Sequence, residues 1–446
     1  MNYYAYEMAH AVVSPLRFGM QALRHSLDLP FNPMSHTVFG KNVRAACEVF
    51  ENVTRRYGKP EFAIKSTHVD GVKIAVEQEI VLCKPFCNLV HFQRDRNVTE
   101  NRNDPKVLLV APMSGHYATL LRGTVEAMLR EHEVYVTDWV DARDIPLAMG
   151  RFDFDDFVDY IIEMVRFIGP DTHVIAVCQP AVPTLVAAAV MASRNEEIQP
   201  ASLVLMGGPI DTRRNPTKVN ELAATRSIDW FESNVINTVP FPHAGFMRPV
   251  YPGFMQLTGF MTMNLERHMS AHVDLFKNLV RGDCDSVKQH QDFYEEYLSV
   301  MDLTAEFYLQ TVKTVFQDHS LPERTLYHRD EYVDCRAIEN CALMTVEGER
   351  DDICGLGQTE AAQGLCARIP EELKVHYVQP GVGHYGVFNG TRWRTEIQPR
   401  IREFIRTAEH RRRKNARLIS MGIESARKSN GYLNGATAPA LSIAGE

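Results

Sequence analysis

The stretch VIAVCQP, Val174 to Pro180, ends an apolar run on a cysteine and is followed by the helix-like PTLVAAAVMASRN. A run of this kind reads as a strand buried on both faces, as the strands of a parallel sheet are. A residue between such a strand and its following helix sits at the helix N-terminus, where exposed N–H groups and the helix dipole favour a negative charge. A cysteine placed there is a candidate nucleophile, because the thiolate is the reactive form. Taken alone, a cysteine at a strand end is more often a small buried apolar residue. The rest of the chain decides between the two.

Outward from this point the pattern repeats. KVLLVAPM (106–113), HEVYVTDWV (132–140), HVIAVCQ (173–179) and SLVLMGGPID (202–211) read as strands, separated by helical stretches. The rhythm stops at about Thr212 and resumes with CALMTVEGERD (341–351) and LKVHYVQPGVGH (373–384). Strands alternating with helices imply a mostly parallel central sheet covered on both faces. Residues 1 to about 60 read as helical, with Met8, Val12, Leu16 and Met20 at helical spacing. Residues 62–94 read as extended, with a hairpin turn at Asp70-Gly71. The expected organisation is a core of residues 1–211 and 340–408 and a helical cap insertion over 212–339. Residues 409–446 form a tail that opens on Arg411, Arg412, Arg413 and Lys414. The tail reads as a frayed helix running into a disordered end, or as a basic arm for an anionic surface.

Composition narrows the class. The chain has 446 residues, 45% hydrophobic and 23% charged, the profile of a soluble globular protein. With 48 Lys and Arg against 56 Asp and Glu, the net charge is −8, which argues against nucleic acid as a partner for the body. The N-terminus lacks a secretory pattern, and no apolar run is long enough to span a bilayer. Nine cysteines at irregular spacings indicate a reducing compartment, and Cys83 and Cys87 lack the further ligands of a zinc site.

The order along the chain raises Cys178 to a nucleophile. The α/β-hydrolase fold presents nucleophile, acid and histidine in that order on turns after successive strands. Asp351 ends the strand at 342–351, and His384 lies in the glycine-rich turn GVGHYG after the last one. His384 then takes the thiol proton and Asp351 orients its ring. Asp352 and Asp211 are alternatives for the acid. The backbone N–H of Gln179 is one expected oxyanion donor, and the second is expected from the APMSGH loop, at Met113 or Ser114. His116, His243 and His268 read as structural or surface groups. Segment 239–269, rich in Phe, Met, Gly and Pro, is an expected adaptable lip over the cysteine, with Phe254 and Met247 as substrate-binding candidates.

These stretches, together with VCQPAVP, APMSGHYATLLRGTV, TDWVDARDIP, MGGPIDTRRNPT, VEGERDDICGLGQT and GVGHYGVFNG, resemble the intracellular polyhydroxyalkanoate (polyhydroxybutyrate) depolymerases up to about residue 408. The related polymer synthases frame their cysteine as G-x-C-x-G, whereas this chain has Ala176 and Pro180. The resemblance implies a triad falling on Cys178, Asp351 and His384, and no metal or organic cofactor. It implies cleavage of amorphous polyester at cytoplasmic storage granules, releasing 3-hydroxybutyrate or oligomers. A cysteine also admits coenzyme A as acyl acceptor, because the acyl-enzyme is a thioester. An acyltransferase or thioesterase acting on soluble acyl-CoA, and a granule structural protein with a decayed site, are the competing readings. Nothing in the sequence chooses between a monomer and a homodimer.

Overall fold

A computed structural model describes residues 2–413 apart from Asn264; the expectation for the tail beyond Arg413 lies outside the described residues. The chain starts with a helical hairpin, α1 (Tyr3–Asp28) and α2 (Val38–Thr54). The apolar spacing in α1 marks a helix, but Met8, Val12 and Leu16 are all more than half exposed. Strands β1 (Ser66–Val69) and β2 (Val72–Cys83) then pair antiparallel across Asp70-Gly71, both at positive φ (49° and 81°), as a two-residue hairpin turn requires.

The central sheet has nine strands. After β1 and β2 come β3 (Cys87–Arg94), β4 (Lys106–Val110), β5 (Glu133–Trp139), β6 (Thr172–Val177), β7 (Ser202–Met206), β8 (Ala342–Gly348) and β9 (Lys374–Gln379). Their spatial order is β1-β2-β3-β5-β4-β6-β7-β8-β9, antiparallel through the β3–β5 pair and parallel from β5 onward. This is the α/β-hydrolase sheet with one extra edge strand. Every residue of β6, β7 and β8 is buried, which explains their unbroken apolar character. Helices α3 (Phe154–Ile168) and α4 (Ala181–Ser193) pack against one another on the sheet. Twelve of the thirteen residues of α4 are buried, consistent with its run of alanines and valines.

Residues 212–339 are mostly helical but contain strands that the sequence pattern does not announce. Asn237–Thr238, Pro249–Tyr251 and Leu303–Thr304 form a small sheet, and Tyr327–His328 pairs with Glu331–Tyr332. Strands of two or three residues are too short to show an alternating pattern. Arg248, 2% exposed, donates to the carbonyls of Ile145 (3.0 Å), Pro146 (2.7 Å) and Gly150 (2.9 Å), tying this region to the loop after β5. Among the described residues no helix is long and apolar enough to cross a membrane.

A buried polar knot joins the N-terminus to the same loop and to the insertion. The Tyr3 hydroxyl donates to Asp302 Oδ2 (2.7 Å), and Asp302 Oδ1 accepts from Gly253 N (2.9 Å). Asp141 Oδ1 accepts from Asp302 N (3.1 Å), while its Oδ2 accepts from Arg143 Nη2 (2.7 Å) and Tyr117 Oη (3.1 Å). Burial, then the neighbouring Asp141 charge, pushes the Asp302 carboxyl up to about 7 despite Arg143. An acid raised in the folded state binds protons there that the unfolded chain has already released. Its stabilising contribution is therefore full below the unfolded carboxyl pKa of about 4 and is lost as pH rises toward 7. Asp302→Asn keeps an acceptor for Gly253 N and removes the titration. The melting temperature of Asp302→Asn relative to wild type is expected to rise between pH 5 and pH 8; a constant difference would contradict the assignment.

Candidate active site

Cys178 follows β6 directly and carries φ of 65°, a left-handed conformation that costs a non-glycine residue energy. Two backbone bonds hold it there: Cys178 N donates to Met206 O (2.7 Å), and Ala181 N donates to Cys178 O (3.0 Å). Pro180, with φ of −56°, leads into α4, where its missing N–H is no loss. This is the strained strand-to-helix turn of a nucleophile elbow. Gly207 and Gly208, after β7, make room for it. A side chain at Gly208 would place its Cβ 2.2 Å from Ala181 Cβ. At Gly207 it would crowd His384 Cε1 at 3.2 Å.

The other two members of the ordered set meet beside the cysteine. His384 Nδ1 lies 2.7 Å from Asp351 Oδ2, and both side chains are almost completely buried, at 6% and 1% exposure. The remaining Asp351 oxygen accepts from Ile353 N (2.9 Å) and Cys354 N (2.8 Å), so the carboxylate is fixed by its own loop. The other ring nitrogen of His384 is left free of Asp351, on a ring that lines the same cavity as Cys178. Burial disfavours the imidazolium, but the charges of Asp351 and Cys178 and the hydrogen bond to Asp351 outweigh it. The His384 pKa is raised well above its ordinary value.

Of the alternative acids, Asp211 is engaged elsewhere: Arg213 donates to it twice, from Nε (2.8 Å) and Nη2 (3.0 Å). It is Asp351, not the adjacent Asp352, whose carboxylate meets the ring of His384. His116 is buried and held near a pKa of about 4 by burial, its Nε2 3.1 Å from Tyr297 O.

Cys178 and His384 open onto a cavity of about 520 Å³. Gln179, Met113 and Ser114 line it with them. Among the described residues the backbone N–H groups of Gln179, Met113 and Ser114 all donate to nothing in the protein, which leaves each of them available to an oxyanion. The insertion supplies much of the wall, including Leu222, Tyr251, Phe260, Phe307, Val312 and Phe316. Such a chamber suits a hydrocarbon-rich chain with few polar groups.

The two substrate-binding candidates lie elsewhere. Phe254 belongs to a separate apolar cluster with Tyr3, Ala142, Val239 and Val250, and stacks on Tyr6 at 4.1 Å between ring centroids. It fastens the N-terminal helix to the insertion. Met247 sits on a turn at φ of 71°, 55% exposed, away from the cavity wall. From the expected lip it is Tyr251, Gln256, Gly259 and Phe260 that line the cavity. The helix Ala305–Thr311 and its continuation to Gln317 supply the wall residues that sequence reasoning misses, Phe307, Tyr308, Thr311, Val312 and Phe316. An amphipathic helix carries no signal distinguishing a cavity wall from a core face.

The family model described as PHB de-polymerase C-terminus matches residues 207–409. No curated protein matches the chain. Solved structures that resemble it include a putative lipase from Acinetobacter baumannii AYE (13% identity, 75% of this chain and 93% of that one, TM-score 0.39). Others are a membrane phospholipase A described as a bacterial virulence factor (12%, 75% and 87%, 0.40) and a thermophilic esterase from Thermogutta terrifontis (14%, 77% and 97%, 0.37). These likenesses are distant, and the strand order itself identifies the fold.

Proposed function

We propose that this α/β-hydrolase, a carboxylic ester hydrolase whose residues 207–409 match the C-terminal model of the polyhydroxybutyrate depolymerase family, cleaves amorphous polyhydroxybutyrate through a thioester on Cys178. The observation that carries the reading is the elbow cysteine at φ of 65°, lining one apolar cavity with a histidine that Asp351 holds at 2.7 Å.

The roles follow from that arrangement. The Cys178 sulfur, its proton on His384, attacks an ester carbonyl carbon, and the carbonyl π pair moves to oxygen. The N–H groups of Gln179 and Met113 receive that oxyanion. The carbon–oxygen bond then breaks, and the departing alkoxide takes the proton from His384. Water, deprotonated by His384, attacks the thioester. The acid leaves, and the thiol is regenerated. Residues 212–339 act as a cap that keeps bulk water from the thioester while the polymer chain is threaded. The setting we propose is the cytoplasmic face of a polyester granule.

The test uses native amorphous polyhydroxybutyrate granules with and without coenzyme A, and products are read by mass spectrometry. Free 3-hydroxybutyrate or its oligomers, in amounts indifferent to coenzyme A, are expected. Acyl-CoA formed in their place would reassign the acceptor from water to a thiol. No product under either condition would overturn the polymer as substrate.

A further inference from the structure

The outward side of α1 carries no charge. Between Tyr4 and Leu23 none of its exposed positions holds Asp, Glu, Lys or Arg. The large exposed side chains of that span are Tyr4, Met8, Val12, Leu16, Phe18 and Leu23, with Val12 72% and Phe18 68% exposed, and helical spacing sets them on one side. The charged residues of the same span are engaged within the protein: Arg17 donates to Thr54 O (2.7 Å), Arg24 pairs with Glu51 (3.2 Å), and Glu7 pairs with Arg56. Gly19 stands on the uncharged side in open space, where a Cβ would meet nothing within 4 Å. Glycine weakens a helix interior, and no close approach within this chain calls for it.

This side of the helix is about 30 Å long at the helical rise. Its six large side chains leave on the order of 600 Å² of apolar surface in water, the upper end of what a monomer keeps exposed in one patch. With the alanines and Pro15 between them it approaches the ~800 Å² that each partner buries in a stable complex. An anionic membrane is a poor match, because a helix lying on one sets free Lys and Arg beside its apolar side. Here Arg17, Arg24 and Arg56 are taken up by groups of the protein itself. A second copy of the same helix fits better. About a two-fold axis midway between Tyr4 and Leu23, antiparallel helices set Met8 against the partner's Gly19, Val12 against the partner's Pro15 and Tyr4 against the partner's Leu23, each contact made twice. The flexible methionine then fills the space over the glycine.

We propose that this chain forms a two-fold homodimer through the outward side of α1, packed antiparallel on its counterpart with Met8 over the partner's Gly19. The core of such an interface is apolar and leaves no charge to be desolvated. Each α1 is already held to its own chain by α2 and by the inward-facing Tyr3 and Tyr6, so pairing needs no rearrangement of either copy. No residue of α1 lines the active-site cavity, so the two sites stay separate and the inference stands independently of the ester-cleaving reading.

Sedimentation velocity tests it on the whole chain. At about 10 µM, above the Kd expected of an interface of this size, the wild type is expected at twice the mass of one chain. Val12→Glu, beside the axis, sets two carboxylates against each other and is expected at the mass of a single chain. Its far-UV circular dichroism is expected to match the wild type, because Val12 lies outside the core. Met8→Lys and Gly19→Glu are each expected to be single chains alone and to pair when mixed, since one native contact and one Lys–Glu contact then form. A wild type at the mass of one chain overturns the inference. So does a Val12→Glu variant that still pairs, which would move the interface to another surface. Variants that separate but fail to pair on mixing overturn the antiparallel register. A single-chain wild type that binds phosphatidylcholine vesicles or amorphous polyester, where Val12→Glu does not, overturns the dimer and assigns this side of α1 to an apolar surface.

Discussion

Cys178→Ala is expected to lower kcat on ester substrates by about 10⁴-fold or more, because removing a nucleophile disables the whole triad rather than one contact. What remains comes from the oxyanion donors and binding, which the substitution leaves in place. The variant is a clean one. Alanine occupies the same left-handed conformation at φ of 65° with the same Cβ, and the bonds holding the elbow are backbone bonds, Cys178 N to Met206 O and Ala181 N to Cys178 O. Its melting temperature is therefore expected to stay close to that of the wild type. Cys178→Ser restores a nucleophilic atom but one far harder to ionise, and is expected to recover only a small part of the rate. Brief incubation with a slow ester, followed by intact-mass measurement, checks the intermediate directly. An adduct of one acyl group is expected on the wild type and none on Cys178→Ala. Ester turnover unchanged in the alanine variant would remove the cysteine from the mechanism and leave the fold with an unidentified nucleophile.

The order of the proposed triad is legible in the sequence because Cys178 and Asp351 follow strands buried on both faces, while His384, after the largely exposed edge strand β9, is marked by its glycine-rich turn. Unbroken runs such as VIAV and ALMTV announce such strands, and the turn after each is where an α/β sheet exposes chemistry. The ends of those strands are less legible. The apolar run from Lys106 extends to Met113, but the strand stops at Val110. Ala111 and Met113 stay buried because the loop itself lies under the insertion, at the cavity. Ile210, beyond the Met206 end of β7, behaves in the same way. Hydrophobicity reports burial, not hydrogen bonding, and near a covered site the two separate.

The insertion is legible in the sequence only as helical and aromatic. Phe254 and Phe260 stand six positions apart in one Gly- and Met-rich segment, yet one stacks on Tyr6 and the other lines the cavity. Composition marks both as buried and says nothing about which partner each will meet. Helix α1 shows the converse, with a regular apolar spacing whose face ends up exposed at Met8, Val12 and Leu16. For Gln179 the sequence points only to the backbone N–H.

Asp351→Asn is expected to lower kcat/KM by about 10³- to 10⁴-fold while leaving the loop folded. The new amide keeps an oxygen for Ile353 N and Cys354 N, which now bond to Asp351 Oδ1 at 2.9 and 2.8 Å. What changes is the face toward His384. A carboxylate accepts the Nδ1 proton and leaves the other nitrogen to serve the sulfur, whereas an amide N–H turned toward Nδ1 favours the opposite tautomer. The pH profile separates this role from simple packing. In the wild type, the charges of Asp351 and Cys178 hold the His384 pKa well above its ordinary value against the effect of burial. Activity that depends on the imidazolium should therefore persist through the pH at which a free histidine loses its proton, and decline only on the alkaline side of it. Removing the carboxylate deletes the larger of the two charges' contributions and leaves burial, which acts in the opposite direction. The alkaline limb of kcat/KM is thus expected to move to lower pH in Asp351→Asn, along with the loss of rate. A variant that lost rate but kept the wild-type alkaline limb would show that Asp351 shapes the loop without setting the charge on His384.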